Sequence, residues 1–235
     1  MITIALSKGR QLKDFIQYLD EINLTEWSTA LKSVSRELVI QTKDTRFILV
    51  KGEDVPVYVE EGIADLGITG SDILIEQNCN INNLMDLPFG YCHFAIASKE
   101  KKDVYPVVAT KYVNFTRQYF DSIKQPVKII KLNGSVELAA TIDMADAIMD
   151  IVQSGKTLHD NGLSEQVRLD DINARLISNK HAYFSNYYEI QTIINQLKVT
   201  TDEDFQRLQR PIDGFTLNRY ICNMVEFRRQ YEGRF

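Results

Sequence analysis

Ser154-Gly155-Lys156-Thr157 is the stretch of this chain best suited to holding a phosphate. The aliphatic residues Ala147-Ile148-Met149 and Ile151-Val152 before it read as a buried strand, and Ser154-Gly155 lets the backbone turn sharply. Thr157-Leu158 then opens a helix whose free N–H groups carry partial positive charge. Lys156 and the hydroxyls of Ser154 and Thr157 add donors. Asp146 and Asp150, four apart, are candidates for binding ribose hydroxyls or a magnesium ion bridging to them.

Gly155-Lys156-Thr157 is shared with the ATP-binding P-loop, but that motif needs a glycine five positions before Gly155, where Asp150 stands. Taken alone, the pattern also fits an ordinary strand-to-helix turn carrying a solvated lysine. Three similar junctions elsewhere favour the phosphate reading. Ile2-Thr3-Ile4-Ala5-Leu6 breaks at Ser7-Lys8-Gly9-Arg10 before the amphipathic series Leu12, Phe15, Ile16, Leu19. Ala64-Asp65-Leu66-Gly67-Ile68 breaks at Thr69-Gly70-Ser71-Asp72, and Val127-Lys128-Ile129-Ile130 breaks at Asn133-Gly134-Ser135. Each junction puts glycine and hydroxyl groups at the carboxyl end of a strand, where open α/β sheets bind their ligands. Together they suggest a polyanionic ligand.

Six ordered blocks carry a family resemblance. They are Ser7-Lys8-Gly9-Arg10, Asp54-Val55-Pro56-Val57-Tyr58-Val59-Glu60, Ala64-Asp65-Leu66-Gly67-Ile68, Ala109-Thr110-Lys111-Tyr112, the run from Lys131 to Ala139, and the run from Asp150 to Leu158. The chain resembles the short form of ATP phosphoribosyltransferase from Met1 to about Val199. The resemblance implies an α/β fold with two lobes, similar to type II periplasmic binding proteins, and an active site in the cleft between them. It also implies the first step of histidine biosynthesis: N1 of the ATP adenine attacks C1 of phosphoribosyl pyrophosphate and displaces pyrophosphate. Magnesium is the implied cofactor. The implied assembly is homodimeric catalytic pairs joined to a histidyl-tRNA-synthetase-like regulatory subunit in a hetero-octamer.

Site residues follow from the matched blocks. The resemblance puts the 5-phosphate on Ser154, Gly155, Lys156, Thr157 and Leu158, with Asp146 and Asp150 toward the ribose. Catalytic Arg10 would meet pyrophosphate or the ATP phosphates with Lys8 close by, because an arginine fork suits such oxygens better than a point charge. Arg36, in Ser35-Arg36-Glu37-Leu38, matches a catalytic position that reaches across a dimer to the leaving group. The turn carrying Gly70, Ser71 and Asp72 matches a phosphate-side turn, although Ser71 stands where some relatives carry lysine. Glu137 either holds a hydroxyl or favours its helix N-terminus. Asp143 stands where the family more often has glycine, and because aspartate tolerates a left-handed backbone only moderately well, the local geometry there is left open.

Composition agrees with a soluble enzyme. A chain of 235 residues, 44% hydrophobic and 25% charged, can bury real cores, and a formal charge of −5 argues against a general nucleic-acid-binding surface. No apolar run approaches membrane-spanning length, and the first residues lack the charged and apolar regions of a signal peptide, so a cytoplasmic protein is expected. Cys79, Cys92 and Cys222 are dispersed, which suggests reduced thiols rather than a disulfide framework or zinc site. His93, His159 and His181 read as structural or surface histidines.

Residues 1–90 form the expected first lobe, completed by 170–199, and 91–169 the second lobe with the phosphate loop. Residues 200–235 fall outside the resemblance and read as a C-terminal extension whose Phe205, Phe215, Tyr220, Phe227 and Phe235 are apolar enough to pack. One rival remains, a non-catalytic module of the same fold that binds small anions. Arg10 and the Asp146–Leu158 block distinguish the enzyme from it.

Overall fold

The structure is a computed structural model that describes residues 1–33 and 36–198. Ser35, Cys222 and the extension 200–235 lie outside the described residues.

The chain begins with β1 (Ile2–Ser7), buried along its whole length, which is the pattern of a strand covered on both faces. Helix α1 (Arg10–Glu21) follows, burying Phe15, Tyr18 and Leu19, and then α2 (Thr25–Lys32) packs Trp27 edge-on against Phe47. β2 (Val39–Gln41) and β3 (Thr45–Val50) form a hairpin, and α3 (Val55–Glu60) leads to β4 (Leu66–Gly70). α4 (Ser71–Gln77) and β5 (Asn82–Asp86) complete the first run. β1 pairs in parallel with both β3 and β4, so all three carboxyl ends face the same way.

The second run opens with β6 (Cys92–Ser98) and β7 (Val107–Thr110), followed by α5 (Val113–Ser122) and β8 (Lys128–Lys131). α6 (Val136–Thr141), β9 (Ala147–Val152), α7 (Lys156–Asp160) and β10 (Ser164–Ile172) come next. β7 pairs in parallel with β8 and β9, β6 runs against β9, and edge strand β10 runs against β6 and so in the direction of the other three. The chain then crosses back through Asn173 into β11 (Ala174–Ser178), which inserts between β4 and β5. α8 (Lys180–Ser185) and α9 (Tyr187–Leu197) pack on the first sheet, where the Tyr18 hydroxyl donates to the Leu197 carbonyl at 2.5 Å. The two sheets have strand orders β2-β3-β1-β4-β11-β5 and β10-β6-β9-β7-β8. Each carries an apolar cluster on both faces.

Two segments link the sheets, 87–91 and Asn173, and they are bonded to one another. Leu87 N–H donates to the Ala174 carbonyl at 2.9 Å, and Ala174 N–H to the Phe89 carbonyl at 3.0 Å. Buried Asn173 adds a bond from Nδ2 to the Leu87 carbonyl at 3.4 Å. Asp143, in the turn after α6, takes the left-handed backbone that glycine adopts most readily, with φ of 59°.

Gly67 sits where β4 passes under α3 and beside β11. A Cβ there would lie 2.7 Å from Val59 Cγ2 and 2.9 Å from Val55 Cγ1, closer than carbon atoms can approach. Gly67→Ala should therefore destabilise the fold by about 1–3 kcal/mol through overpacking. Each kcal/mol lowers Tm by about 2–4 °C in a domain of this size, and a thermal melt within about 1 °C of wild type, about half of the smallest such shift, would show that α3 yields freely.

Candidate active site

Because β1, β3 and β4 are mutually parallel, as are β7, β8 and β9, their carboxyl-end loops gather at one face of each sheet. The linking segments leave from the same ends: Ala174 pairs with Gly70, and His93 with Val152. The loops of the two lobes therefore face each other across a cleft. Its clearest bridge is Arg10, whose Nη1 donates to Gln153 Oε1 at 2.5 Å. The first and last of the predicted phosphate junctions are thus brought together.

Two glycines make that approach possible. Gly9, the residue before α1, has φ 86° and ψ −134°, a region nearly closed to residues with side chains. It aims Arg10 outward while Lys8, also exposed, is anchored by its N–H to the Val50 carbonyl at 3.0 Å. Gly155 takes a left-handed conformation, φ 71° and ψ −2°, at the turn into α7. Ser154, Lys156 and Thr157 are exposed around it, with free hydroxyl and ammonium donors facing solvent. Leu158 differs from its expected role, because its side chain is buried in the second lobe's apolar cluster and only its backbone can face a ligand.

Acidic groups line the floor. Asp150 lies on β9 at the approach to the loop; burial raises its pKa, its own bond from the Ile151 N–H at 2.8 Å and the nearby Lys111 lower it, and Glu137 and Asp72 raise it. Glu137, half-buried in the first turn of α6, bears its charge on Asp150. Cys92 lies among the same charges. Burial pushes its thiol up to about 12, with Asp72 adding and Arg10 and Lys111 opposing, so it is a neutral thiol and no nucleophile.

Lys111 is the residue the sequence reading missed. It stands in the Ala109-Thr110-Lys111-Tyr112 block without an assigned role, yet its ammonium sits 4.7 Å from the centre of the Tyr112 ring and its charge reaches both Asp150 and Cys92. Its place just past the carboxyl end of β7 was the available signal. Buried Tyr112 donates its hydroxyl to Asp72 Oδ2 at 2.7 Å, and burial drives the pKa of that phenol upward.

Several expected site residues stand elsewhere. Asp146 precedes β9 and so lies at the strand's opposite end, roughly 20 Å from Val152 at 3.3 Å per residue. It cannot share a ligand with Asp150, because four residues of strand separate them by roughly 13 Å. Its carboxylate is bonded to Lys102 Nζ at 2.8 Å and to the Val107 N–H at 3.1 Å, and Lys102 holds its pKa below the usual range. Ser71 is buried and tied to the linking segment: its N–H donates to the Asn173 carbonyl at 2.9 Å, and its Oγ accepts from the Asn173 N–H at 3.3 Å. Asp72 folds back over Gly70, where a Cβ would sit 2.1 Å from Asp72 Oδ1. Gly70 is thus needed to seat Asp72, whose outer oxygen is already held by Tyr112. Arg36 is exposed between α2 and β2, its backbone N–H bonded to the Glu37 carboxylate at 3.0 Å. The cations that register on Asp150 and Cys92 are Lys111 and Arg10, and Arg36 is not among them.

Among the described residues, no three His, Cys, Asp or Glu side chains are placed to hold a metal ion. Nor is any helix among them long and apolar enough to cross a membrane.

The ATP phosphoribosyltransferase family model matches residues 51–199. ATP phosphoribosyltransferase of Staphylococcus carnosus is 56% identical over 201 residues, covering 85% of this chain and 98% of that protein. The solved ATP phosphoribosyl transferase (HisG:HisZ) complex from Thermotoga maritima contains a chain matched along 100% of its length and 88% of this one, with a TM-score of 0.70 and 26% identity. The periplasmic aliphatic sulphonate binding protein SsuA from Escherichia coli shares the fold, with a TM-score of 0.55 over 83% of this chain and 67% of its own, at 12% identity.

The half-buried Asp150 carboxylate leads to a prediction of sign. Its folded-state pKa lies above the unfolded value, so its contribution to stability is fully present below the unfolded value and lost as pH rises through the folded one. At neutral pH the unliganded protein therefore carries a cost that Asp150→Asn removes. The variant should melt higher than wild type at neutral pH, by about 2–4 °C per kcal/mol relieved. That gain should vanish near pH 4, where the unfolded carboxylate protonates. An equal or lower melting temperature at neutral pH would mean that Asp150 is well solvated.

Proposed function

Because the chain belongs to the ATP phosphoribosyltransferase family, we propose that its cleft joins ATP to phosphoribosyl pyrophosphate, the first step of histidine biosynthesis. The observation that carries this reading is the meeting of Arg10 with the Gln153–Lys156 loop across the cleft. The N1 lone pair of adenine forms the new bond to C1, and the C1–O electron pair departs with pyrophosphate. Little covalent help is needed from protein, so catalysis rests on alignment and on offsetting charge that grows on the leaving oxygens.

The reading gives each group a task. Ser154, Gly155, Lys156, Thr157 and the backbone of Leu158 cradle the 5-phosphate, while Asp150, with Glu137 beside it, accepts the ribose hydroxyls. Arg10, Lys8 and Lys111 supply positive charge toward pyrophosphate. Arg36, exposed between α2 and β2, fits action in a neighbouring subunit's cleft. Magnesium suits this floor as an ion that keeps several waters and rides on the ligand's oxygens, held by one or two carboxylates such as Asp150 and Glu137. It would supply further neutralisation of pyrophosphate. The Thermotoga maritima complex supports a partner subunit, and the family resemblance extends that to histidyl-tRNA-synthetase-like subunits in a hetero-octamer acting in the cytoplasm.

Pyrophosphate release from ATP and phosphoribosyl pyrophosphate, measured with and without the partner subunit, tests the activity itself. Within that assay, Arg10→Ala should raise the barrier by about 2–4 kcal/mol, the cost of removing one donor to a developing charge. The loss should appear in turnover more than in ground-state affinity. A turnover within twofold of wild type would leave Arg10 a solvated bridge to Gln153.

The role of Arg36 is tested by complementation. A mixture of Arg36→Ala chains with Gly155→Val chains should recover activity, because a mixed dimer assembles one intact site from both subunits. The valine is disabling because the left-handed backbone at Gly155 is strained for a branched residue. Verified mixed dimers with background activity would place Arg36 within its own subunit or outside the reaction.

A further inference from the structure

α4 carries two carboxylates one turn apart, and the second lobe uses both. Asp72 accepts the Tyr112 hydroxyl at 2.7 Å. Glu76, four residues on and therefore on the same helical face, accepts the Asn114 N–H at 3.0 and 2.9 Å from its two oxygens and the Phe115 N–H at 3.1 Å. Asn114 Nδ2 returns a bond to the Glu76 carbonyl at 2.8 Å. α5 has no acidic residue in its own first turn and no side-chain cap, so the negative charge at its N-terminus comes from the other lobe. Behind these bonds Ile75 packs on the cluster containing Phe94, Tyr112 and Phe115.

The bonded segments 87–91 and Asn173 fix the lobes along one line, which alone leaves a rotation free. The α4–α5 contact supplies a second point away from that line and removes the rotation. The same rotation would separate Arg10 from Gln153, which belong to opposite lobes. We propose that Glu76 is a positioning residue for phosphoribosyl transfer, which holds the lobes at the spacing where Arg10 meets the phosphate loop by capping α5 from across the cleft. The proposal rests on the reaction assigned above. It requires no contact between Glu76 and either substrate. Its leverage comes from the sensitivity of aligned sites to displacement, where a shift of about 1 Å costs on the order of 100-fold in rate.

The test combines amide exchange with a double-mutant cycle in the full assembly. Glu76→Ala should speed exchange at the Asn114 and Phe115 amides and lower kcat about 10-fold, an intermediate part of that range. Affinity for phosphoribosyl pyrophosphate should stay within about twofold, since the loop that cradles its 5-phosphate lies within one lobe. Glu76→Gln, which keeps an acceptor, should restore most of the rate. In an Arg10→Ala background the same Glu76→Ala change should cost less than about twofold, because the alignment it protects is already lost. Equal losses in both backgrounds, unchanged amide exchange or unchanged kcat would each overturn the proposal. If Glu76→Ala does not fold, Asn114→Ala, which removes the Nδ2 bond to the Glu76 carbonyl, carries the same cycle with Glu76→Gln as the near-normal control. Absence of wild-type turnover would sink the assigned reaction, whereas normal wild-type turnover with an unaffected variant sinks only the role of Glu76.

Discussion

Strands that run parallel cannot be joined by a tight turn; each needs a crossover that starts where the strand ends. In this chain that constraint acts twice, once for β1, β3 and β4 and once for β7, β8 and β9. All the loops that begin crossovers therefore emerge on one side of each sheet, and the two linking segments leave from that same side. The cleft is a consequence of topology before any side chain is chosen. What the sequence adds is the chemistry of the loops: glycines where the backbone must turn left-handed, hydroxyls and cations around them.

The cleft combines opposed charges. Asp150, Glu137 and Asp72 would repel a polyanion, while Arg10, Lys111, Lys8 and Lys156 would attract it. Segregation resolves the conflict. On the proposed assignment the acids of the floor accept ribose hydroxyls, while Lys8, Arg10 and Lys156, at the exposed loop tips, turn toward phosphate. An unfilled floor is electrostatically unfavourable, because a half-desolvated carboxylate lacks partners that a sugar would supply. The ligand thus completes the folded state's hydrogen bonding as well as entering a reaction.

Much of this was legible in the sequence because strand-to-loop junctions leave local marks. The buried run of β1, the break at Ser7–Arg10 and the turn at Ser154–Thr157 each follow from residue type within a few positions. What failed were inferences across distance or about direction. Asp146 and Asp150 look adjacent in text, but a strand advances too far per residue for them to share a ligand. Leu158 belongs to the matched block, yet the first turn of α7 points it into the core. Ser71 and Asp72 are polar and near the turn, but tertiary partners, Asn173 and Tyr112, take up their bonds. Lys111 had no local signal beyond its place after a strand, and only packing against Tyr112 shows where its charge acts.

The position of β11 bears on how the protein comes into being. It lies between β4 and β5, and among the described residues β5 has no other pairing partner. During synthesis, the ribosome releases β5 about 90 residues before β11, with the whole second sheet between them. At roughly 5–20 residues per second, the nascent first lobe waits roughly 5–20 s with β5 unpaired and one side of β4 open. The second lobe, contiguous in the chain, can close its own sheet in that interval. Vectorial folding therefore runs from the inserted lobe outward, and the first lobe, though it begins the chain, is the last to be sealed.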